Sequence, residues 1–260
     1  MSKLSSVLRS IPGRSRGIAR STLFQGLFAC LVVLTLVMAI VPSGAQSPKP
    51  YGQPSTARGD WPMYFADPSG SRYSPLDQIN ASNFSKLEVA WHFKTDQLGA
   101  RPEYKLEGTP LEINGTGDTT GGSRRDVVAL DAATGKLCDG FGSHGYLDLK
   151  PGLGADVIRL VGLSSPPLFL KGKLVSGLYV SDNVHDREPS GVVRAFDAAT
   201  GALAWSWDVG RVPTNKPLAA GEVYTPGTPN VWGVITGDER LGLAFLPTGN
   251  PTPDYFGGQR

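Results

Sequence analysis

A short motif that occurs twice limits what this chain can fold into. Val127-Val128-Ala129-Leu130-Asp131-Ala132-Ala133-Thr134-Gly135-Lys136-Leu137 matches Val192-Val193-Arg194-Ala195-Phe196-Asp197-Ala198-Ala199-Thr200-Gly201-Ala202-Leu203. Each copy reads as a β-hairpin. An apolar strand ends in Asp, whose carboxylate can accept turn amides, and Thr-Gly closes a turn that needs a positive φ. The second copy runs on into Ala204-Trp205-Ser206-Trp207, an aromatic strand able to pack on a neighbouring unit, and Val89-Ala90-Trp91-His92-Phe93 reads as the same outer strand of an earlier unit. A supersecondary unit that cannot bury its own face must stack on copies of itself, which predicts a β-propeller of four-stranded blades. The rest of the composition agrees. The 33 Gly and 21 Pro favour short strands and tight turns, and no sustained 3.6-residue apolar period follows the amino terminus. The expected fold class is all-β.

The first residues carry a different message. Lys3, Arg9, Arg14, Arg16 and Arg20 form a basic stretch without an acid, followed by an apolar run from Leu23 to Val41. Pro42 ends the run, and Ser43-Gly44-Ala45 places small residues at a cleavage site before Gln46. Residues 1–45 are therefore expected to be a signal peptide or membrane anchor, with the remainder exported to the periplasm or held at the membrane facing it. The run is long enough to span a bilayer, so the sequence leaves cleavage and anchoring both open. Cys30 lies within the apolar run, which leaves Cys138 alone in the mature chain and predicts no internal disulfide. Residues 46–58 read as a Pro/Ser/Gly-bearing linker, and residues 59–260 as the propeller portion. A net charge of +2 with 18% charged residues lacks the concentrated basic face that nucleic acid demands, so no nucleic-acid partner is expected.

Four further segments, in order, carry a resemblance. Gly59-Asp60-Trp61-Pro62-Met63-Tyr64 is followed by Arg72-Tyr73-Ser74-Pro75-Leu76 and Gln78-Ile79-Asn80. Then come Ser164-Ser165-Pro166-Pro167, Ser181-Asp182-Asn183 with Arg187-Glu188-Pro189-Ser190-Gly191, and Leu246-Pro247-Thr248-Gly249-Asn250-Pro251-Thr252-Pro253-Asp254. With these motifs the chain resembles the pyrroloquinoline quinone (PQQ)-dependent dehydrogenases, in particular the membrane-bound quinoprotein glucose dehydrogenase branch. The resemblance covers residues 59 to 260. It implies the opening blades of an eight-bladed quinoprotein propeller, incomplete here, and an enzyme that oxidises a sugar or alcohol and passes electrons to a quinone or cytochrome. It also implies PQQ with Ca²⁺ or Mg²⁺, the ion acting as a Lewis acid on the quinone carbonyl. Hard cations take oxygen ligands, and a planar ring sits well on an indole.

The resemblance assigns roles position by position. Trp232 lies eighteen residues before Asn250, the spacing between the ring-floor Trp and an Asn metal ligand in related alcohol dehydrogenases. Thr252 matches a residue near the cofactor in the glucose branch. Asp182 and Asn183 match that branch's Asp-Asn pair beside cofactor and metal. Glu188 corresponds to a carboxylate metal ligand, and Ser164 to a Thr whose hydroxyl contacts the quinone. The implied set is Ser164, Asp182, Asn183, Trp232 and Thr252 for the cofactor, and Asp182, Glu188 and Asn250 for the metal. Each has a plainer alternative: core packing for Trp232, a turn for Asn183, Asn250 and Thr252, an exposed Glu-Pro turn for Glu188. His92, His144 and His185 show no metal-ligand spacing.

Two departures from the family pattern stand out. The family's catalytic Asp lies several blades downstream, and no residue here corresponds to it, so the chain is expected to be truncated and catalytically incomplete. At about 45 residues per blade, the mature chain supplies at most about four or five of the eight. Between Leu111 and Lys136 it also reads as about one blade short. Arg124 to Leu130 resembles the end of one blade, while Cys138-Asp139-Gly140-Phe141-Gly142-Ser143-His144-Gly145 resembles the sequel of the next. A deletion within the Ala-Ala-Thr-Gly repeat would produce this join, and the skipped segment would normally supply an Arg contacting PQQ carboxylates. Two rival readings stay open: a non-catalytic propeller scaffold of the outer-membrane assembly type, which shares the Asp-x-x-Thr-Gly repeat but lacks the Arg-Glu-Pro-Ser-Gly and Thr-Gly-Asn-Pro loops, and a decayed remnant.

Overall fold

Both copies of the repeated motif fold into the same device. The structure is a computed structural model that describes residues 53–94, 109–120, 126–154, 160–181, 183–184 and 188–255. The first sheet is an antiparallel meander of β1 (Leu111–Ile113), β2 (Thr116–Thr120), β3 (Asp126–Asp131) and β4 (Tyr146–Asp148), in that order. The chain then forms the short β5 (Val161–Gly162). A second four-stranded sheet follows from β6 (Leu168–Leu170), β7 (Lys173–Ser176), β9 (Val193–Asp197) and β10 (Leu203–Trp207), while β8 (Tyr179–Val180) leaves it to pair with β5. A hairpin of β11 (Thr236–Asp238) and β12 (Leu243–Phe245) comes last. Two four-stranded antiparallel sheets in succession are two propeller blades, and the described residues contain no α-helix.

The blades correspond turn for turn. Two-residue turns join β1 to β2 and β6 to β7: Asn114-Gly115 at φ 54° and 81°, Lys171-Gly172 at φ 47° and 71°. Positive φ at both positions defines the type I′ turn, whose twist matches that of paired strands. Asp131 Oδ1 accepts the Thr134 amide at 2.8 Å and its hydroxyl at 2.6 Å. Asp197 Oδ1 accepts the Thr200 amide at 3.1 Å and its hydroxyl at 3.0 Å. The amide after each Asp donates to the glycine carbonyl of the facing turn, Ala132 to Gly115 and Ala198 to Gly172. A third copy closes β11–β12. Asp238 Oδ1 accepts the Leu241 amide, and Gly242 at φ 67° returns its N–H to the Asp238 carbonyl.

Strand periodicity explains the packing. Along β6 and β7 of the second blade, Phe169 and Leu174 face one apolar cluster, whereas Leu168, Leu170 and Val175 face another. The first cluster joins them to Val127, Ala129, Phe141 and Leu147 of the first blade. The second joins them to Met63, Val231 and Ile235, with Ala244 of β12 at its margin. The three strands β6, β7 and β9 are thus buried on both faces, with their apolar residues divided between the two clusters, while β10 is largely exposed. Each fully buried large side chain contributes about 1.5–3 kcal/mol.

One charge crosses the contact between the blades. Arg194 of β9 is only 3% exposed and donates to the carbonyls of Leu149 and Pro151. Its guanidinium lies over the rings of Phe196 and Tyr224. Burial is the largest influence on it and lowers its pKa to about 10, so it stays charged at neutral pH.

Residues 89–93 are not a strand, contrary to the sequence expectation. Trp91 works through its indole instead. Its N–H donates to the Ala132 carbonyl at 3.0 Å, and the ring lies so close to Gly135 that a Cβ there would sit 2.5 Å from it. The ring therefore stacks on the Asp131–Gly135 turn, and glycine at 135 is what lets it approach. The corresponding Trp205 of the second blade is 39% exposed.

Candidate cofactor and metal site

Strand register places the sequence-predicted residues at one end of the second blade. Leu168 pairs with Val175 and Ser176 with Arg194, so the start of β6, the end of β7 and the start of β9 share an end. The Asp197 and Lys171-Gly172 turns close the opposite end. Residues 163–166, 177–181 and 188–191 therefore emerge together. Residues 227–233, which lead into β11, and residues 246–253, which leave β12, join them through backbone and side-chain bonds.

Two glycines allow that convergence. A Cβ on Gly177 would lie 2.1 Å from the Val231 carbonyl oxygen, and one on Gly191 would lie 2.1 Å from that of Pro229. Only a residue without a side chain lets residues 229–231 lie this close to the blade. Asn230 then donates its side-chain amide to the Leu178 carbonyl, and its own carbonyl accepts the Gly249 amide at 2.8 Å.

Glu188 anchors one half of the site. It is buried, with Oε1 accepting the Val184 amide at 3.1 Å and Oε2 accepting the Thr252 hydroxyl at 2.6 Å. The Glu188 carbonyl accepts the Gly227 amide, whose own carbonyl accepts the Thr252 amide at 2.9 Å. Glu188, Gly227 and Thr252 thus form a closed triangle across three segments. Among the described residues no cation forms an ion pair with Glu188. A buried carboxylate without a cationic partner costs several kcal/mol of desolvation that hydrogen bonds only partly offset.

Trp232 anchors the other half. Its carbonyl accepts the hydroxyls of Ser164 and Ser165 at 2.8 and 2.9 Å, while its side chain is left exposed (57%). Tyr179 and Pro166 line the same small depression, and the Tyr179 hydroxyl is 2.6 Å from Ser181 Oγ. The Gly249 amide bond to Asn230 brings the chain just before Asn250 to this edge, and Asn250 itself is exposed. Asn183 is exposed in a left-handed turn at φ 62°, and Asp182 lies outside the described residues.

Direct contacts therefore couple Ser164 with Trp232 and Glu188 with Thr252, and the 227–233 segment links the two pairs. Ser165, Tyr179 and Asn230 belong to the same locality and were not singled out from the sequence. Ser165 stood beside a chosen residue, and the apolar neighbours of Tyr179 in Leu178-Tyr179-Val180 put it on the opposite, exposed face. Asn230 carried no signal, because its partners are fifty-two residues away at Leu178 and nineteen away at Gly249.

The family relationship is direct. Residues 61–132 and 119–260 match the PQQ family described as "Glucose/ethanol/alcohol dehydrogenase, beta-propeller domain". The chain belongs to this family. Among its relatives, the glycerol dehydrogenase large subunit of Gluconobacter oxydans (strain 621H) is 30% identical over 281 residues, covering 84% of this chain and 38% of the relative. The quinoprotein glucose dehydrogenase of Escherichia coli (strain K12) is 28% identical over 291 residues, covering 87% and 36%. The dehydrogenase subunit of a quinone alcohol dehydrogenase from Gluconobacter oxydans (strain 621H) is 37% identical over 175 residues, covering 66% and 20%. The chain spans little more than a third of the length of the first two relatives.

Membership makes the site's fit to PQQ and a hard cation a question of donor chemistry. Glu188 offers a buried carboxylate that, among the described residues, accepts one hydrogen bond on each oxygen, and Asn250 offers an exposed amide oxygen. Trp232 offers an open indole face. The residue types fit. Among the described residues, no three His, Cys, Asp or Glu side chains converge as a ready-made metal cluster.

Proposed function

We propose that this chain forms part of a PQQ- and divalent-metal-dependent dehydrogenase that oxidises a sugar or alcohol and delivers the electrons to a quinone or cytochrome. The observation that carries the proposal is the buried Glu188 carboxylate, held by Val184 and Thr252 with no cation against it among the described residues. Bound PQQ would supply a two-electron quinone oxidant, with Ca²⁺ or Mg²⁺ polarising its carbonyl. Glu188 and Asn250, with Asp182, would hold the ion. Trp232 would present its indole as the floor for a planar ring, its backbone fixed by the Ser164 and Ser165 hydroxyls. Ser164, Asn183 and Thr252 would border the cofactor, with Thr252 orienting Glu188 through its hydroxyl.

The basic start and apolar run of residues 1–45 support export to the periplasmic side, by a cleaved signal or a membrane anchor, with residues 46–58 as a linker and 59–260 as propeller. No helix among the described residues is long and apolar enough to cross a membrane, and residues 1–52 lie outside them.

Reconstitution tests the proposal. Purified protein titrated with PQQ in the presence of Ca²⁺ should show saturable quenching of indole fluorescence that Trp232→Phe reduces. A panel of sugars and alcohols read by dye reduction then identifies the substrate class. No saturable binding of PQQ with Ca²⁺ or Mg²⁺ would overturn the proposal.

A further inference from the structure

The two stretches that match the family overlap. Residues 119–132 end the first match and also begin the second, so one segment of this chain answers to two positions in the family pattern. Alignment lengths say the same. The 281 positions aligned with the Gluconobacter glycerol dehydrogenase take in 84% of this chain, about 218 residues, so about 63 positions of that relative have no counterpart here. For the Escherichia coli glucose dehydrogenase, 291 positions take in 87%, about 226 residues, leaving about 65. The match to the quinone alcohol dehydrogenase aligns 175 positions with 66%, about 172 residues, which must include residues 119–132, and leaves almost none, so the missing positions belong to the comparison with the glycerol and glucose dehydrogenases. Together these missing positions amount to about one blade with its connections, since blades run to roughly 40–50 residues.

The structure shows what the chain does at the join. β1 and β2 precede the overlap almost entirely, and β3 lies inside it. Yet β2 pairs with β3 over its whole length, from Thr116 with Asp131 to Thr120 with Val127, without a register break. The resulting sheet has four strands, with the I′ turn, the Asp turn and an Ala132-to-Gly115 bond like those of the second blade, although its fourth strand begins fifteen residues after Asp131 rather than six after Asp197.

We infer that β1–β4 is a composite blade: its β1–β2 hairpin and its β3–β4 half derive from successive blades, and one blade's worth of chain has been lost in register between them. The repeat makes this workable. Both described blades carry the same Asp-x-x-x-Gly turn, so the turn that Trp91 meets at Gly135 has its counterpart at Gly201. Nearest-neighbour interfaces of this kind let a repeat be removed without disturbing the others. Over this stretch the protein therefore builds one blade fewer than the glycerol and glucose dehydrogenases it matches. The inference rests on family membership and strand pairing, not on the cofactor assignment.

Hydrogen exchange on the full chain, read by mass spectrometry of overlapping peptides, tests it. If the blade is one unit, amides of β2 and β3 have protection within about tenfold of each other, and Gly117→Pro in β2 lowers protection in both by more than about tenfold. In the same variant, β7 and β9 of the second blade keep theirs. A β1–β2 hairpin that exchanges freely while β3 and β4 stay protected would overturn the composite blade. Rapid exchange through all four strands of the unaltered protein would overturn it too.

Discussion

The two ends of the second blade are built by opposite means. At one end, the Asp197 turn is closed within five residues by the Asp197 carboxylate, the Thr200 hydroxyl and Gly201, and the Lys171-Gly172 turn needs only two. At the other end, Glu188 meets Thr252 across sixty-four residues and Ser164 meets Trp232 across sixty-eight. The first end can form wherever its short sequence occurs, so it is repeated in the first blade and again at Asp238. The second end exists only once five segments have converged, so its residues depend on packing elsewhere. Local turns hold the scaffold, and long-range contacts build the site.

The largest effect that tests this contrast should come from glycine substitution. Gly191→Val places side-chain atoms against the Pro229 carbonyl and should destabilise the protein by about 3 kcal/mol or more in urea unfolding, since backbone cannot be pushed aside cheaply. Gly172→Ala, at the turn end, has no heavy atom within 4 Å of the added Cβ and faces only the positive-φ penalty, about 1 kcal/mol. Equal costs would erase the distinction between the two ends.

A middle-sized effect is expected at the Glu188 triangle. Thr252→Val preserves shape but removes the donor to a buried carboxylate, and should cost about 2 kcal/mol. In Glu188→Gln, which removes the charge, the added cost of Thr252→Val should fall by at least half. Additive effects in a double-mutant cycle would mean that the 2.6 Å contact carries no energy.

The smallest effect is acid sensitivity at the turn end. Hydrogen bonding from Lys173, and next from Thr200, holds the Asp197 carboxyl below its ordinary range, and Thr134 does the same for Asp131. A carboxyl whose pKa is lower in the folded state contributes stability above its unfolded pKa, near 3.9, and loses it as pH falls through the folded value. Stability should therefore decline below about pH 4. Asp197→Asn should flatten that decline more than Asp131→Asn, because Lys173 bonds Asp197 directly at 3.0 Å, whereas Lys136 acts on Asp131 through its charge. Identical pH profiles for the two variants would show that Lys173 adds nothing.

The same contrast explains what the sequence could reveal. Asp131 and Asp197 were legible as equivalent turns because Asp, Thr and Gly act within five residues, which local pattern captures. The third turn carries no such pattern, because Leu241 replaces Thr and only the backbone amide remains to meet Asp238. The apolar neighbours of Trp91 predict a strand, whereas its placement comes from a bond to Ala132 forty-one residues on. At the site, Trp232, Glu188 and Thr252 were legible only through motif resemblance. Ser165 and Asn230 act through backbone carbonyls of distant segments, and no local pattern encodes such partners.

Calorimetric titration of PQQ into the Ca²⁺-loaded protein tests the functional half of this comparison most directly, with one variant at each end of the blade. The account predicts saturable binding that a chelator abolishes, that Glu188→Gln weakens by more than about tenfold, and that Asp197→Asn leaves unchanged. Binding that ignores Glu188→Gln, or that falls equally with Asp197→Asn, would contradict it.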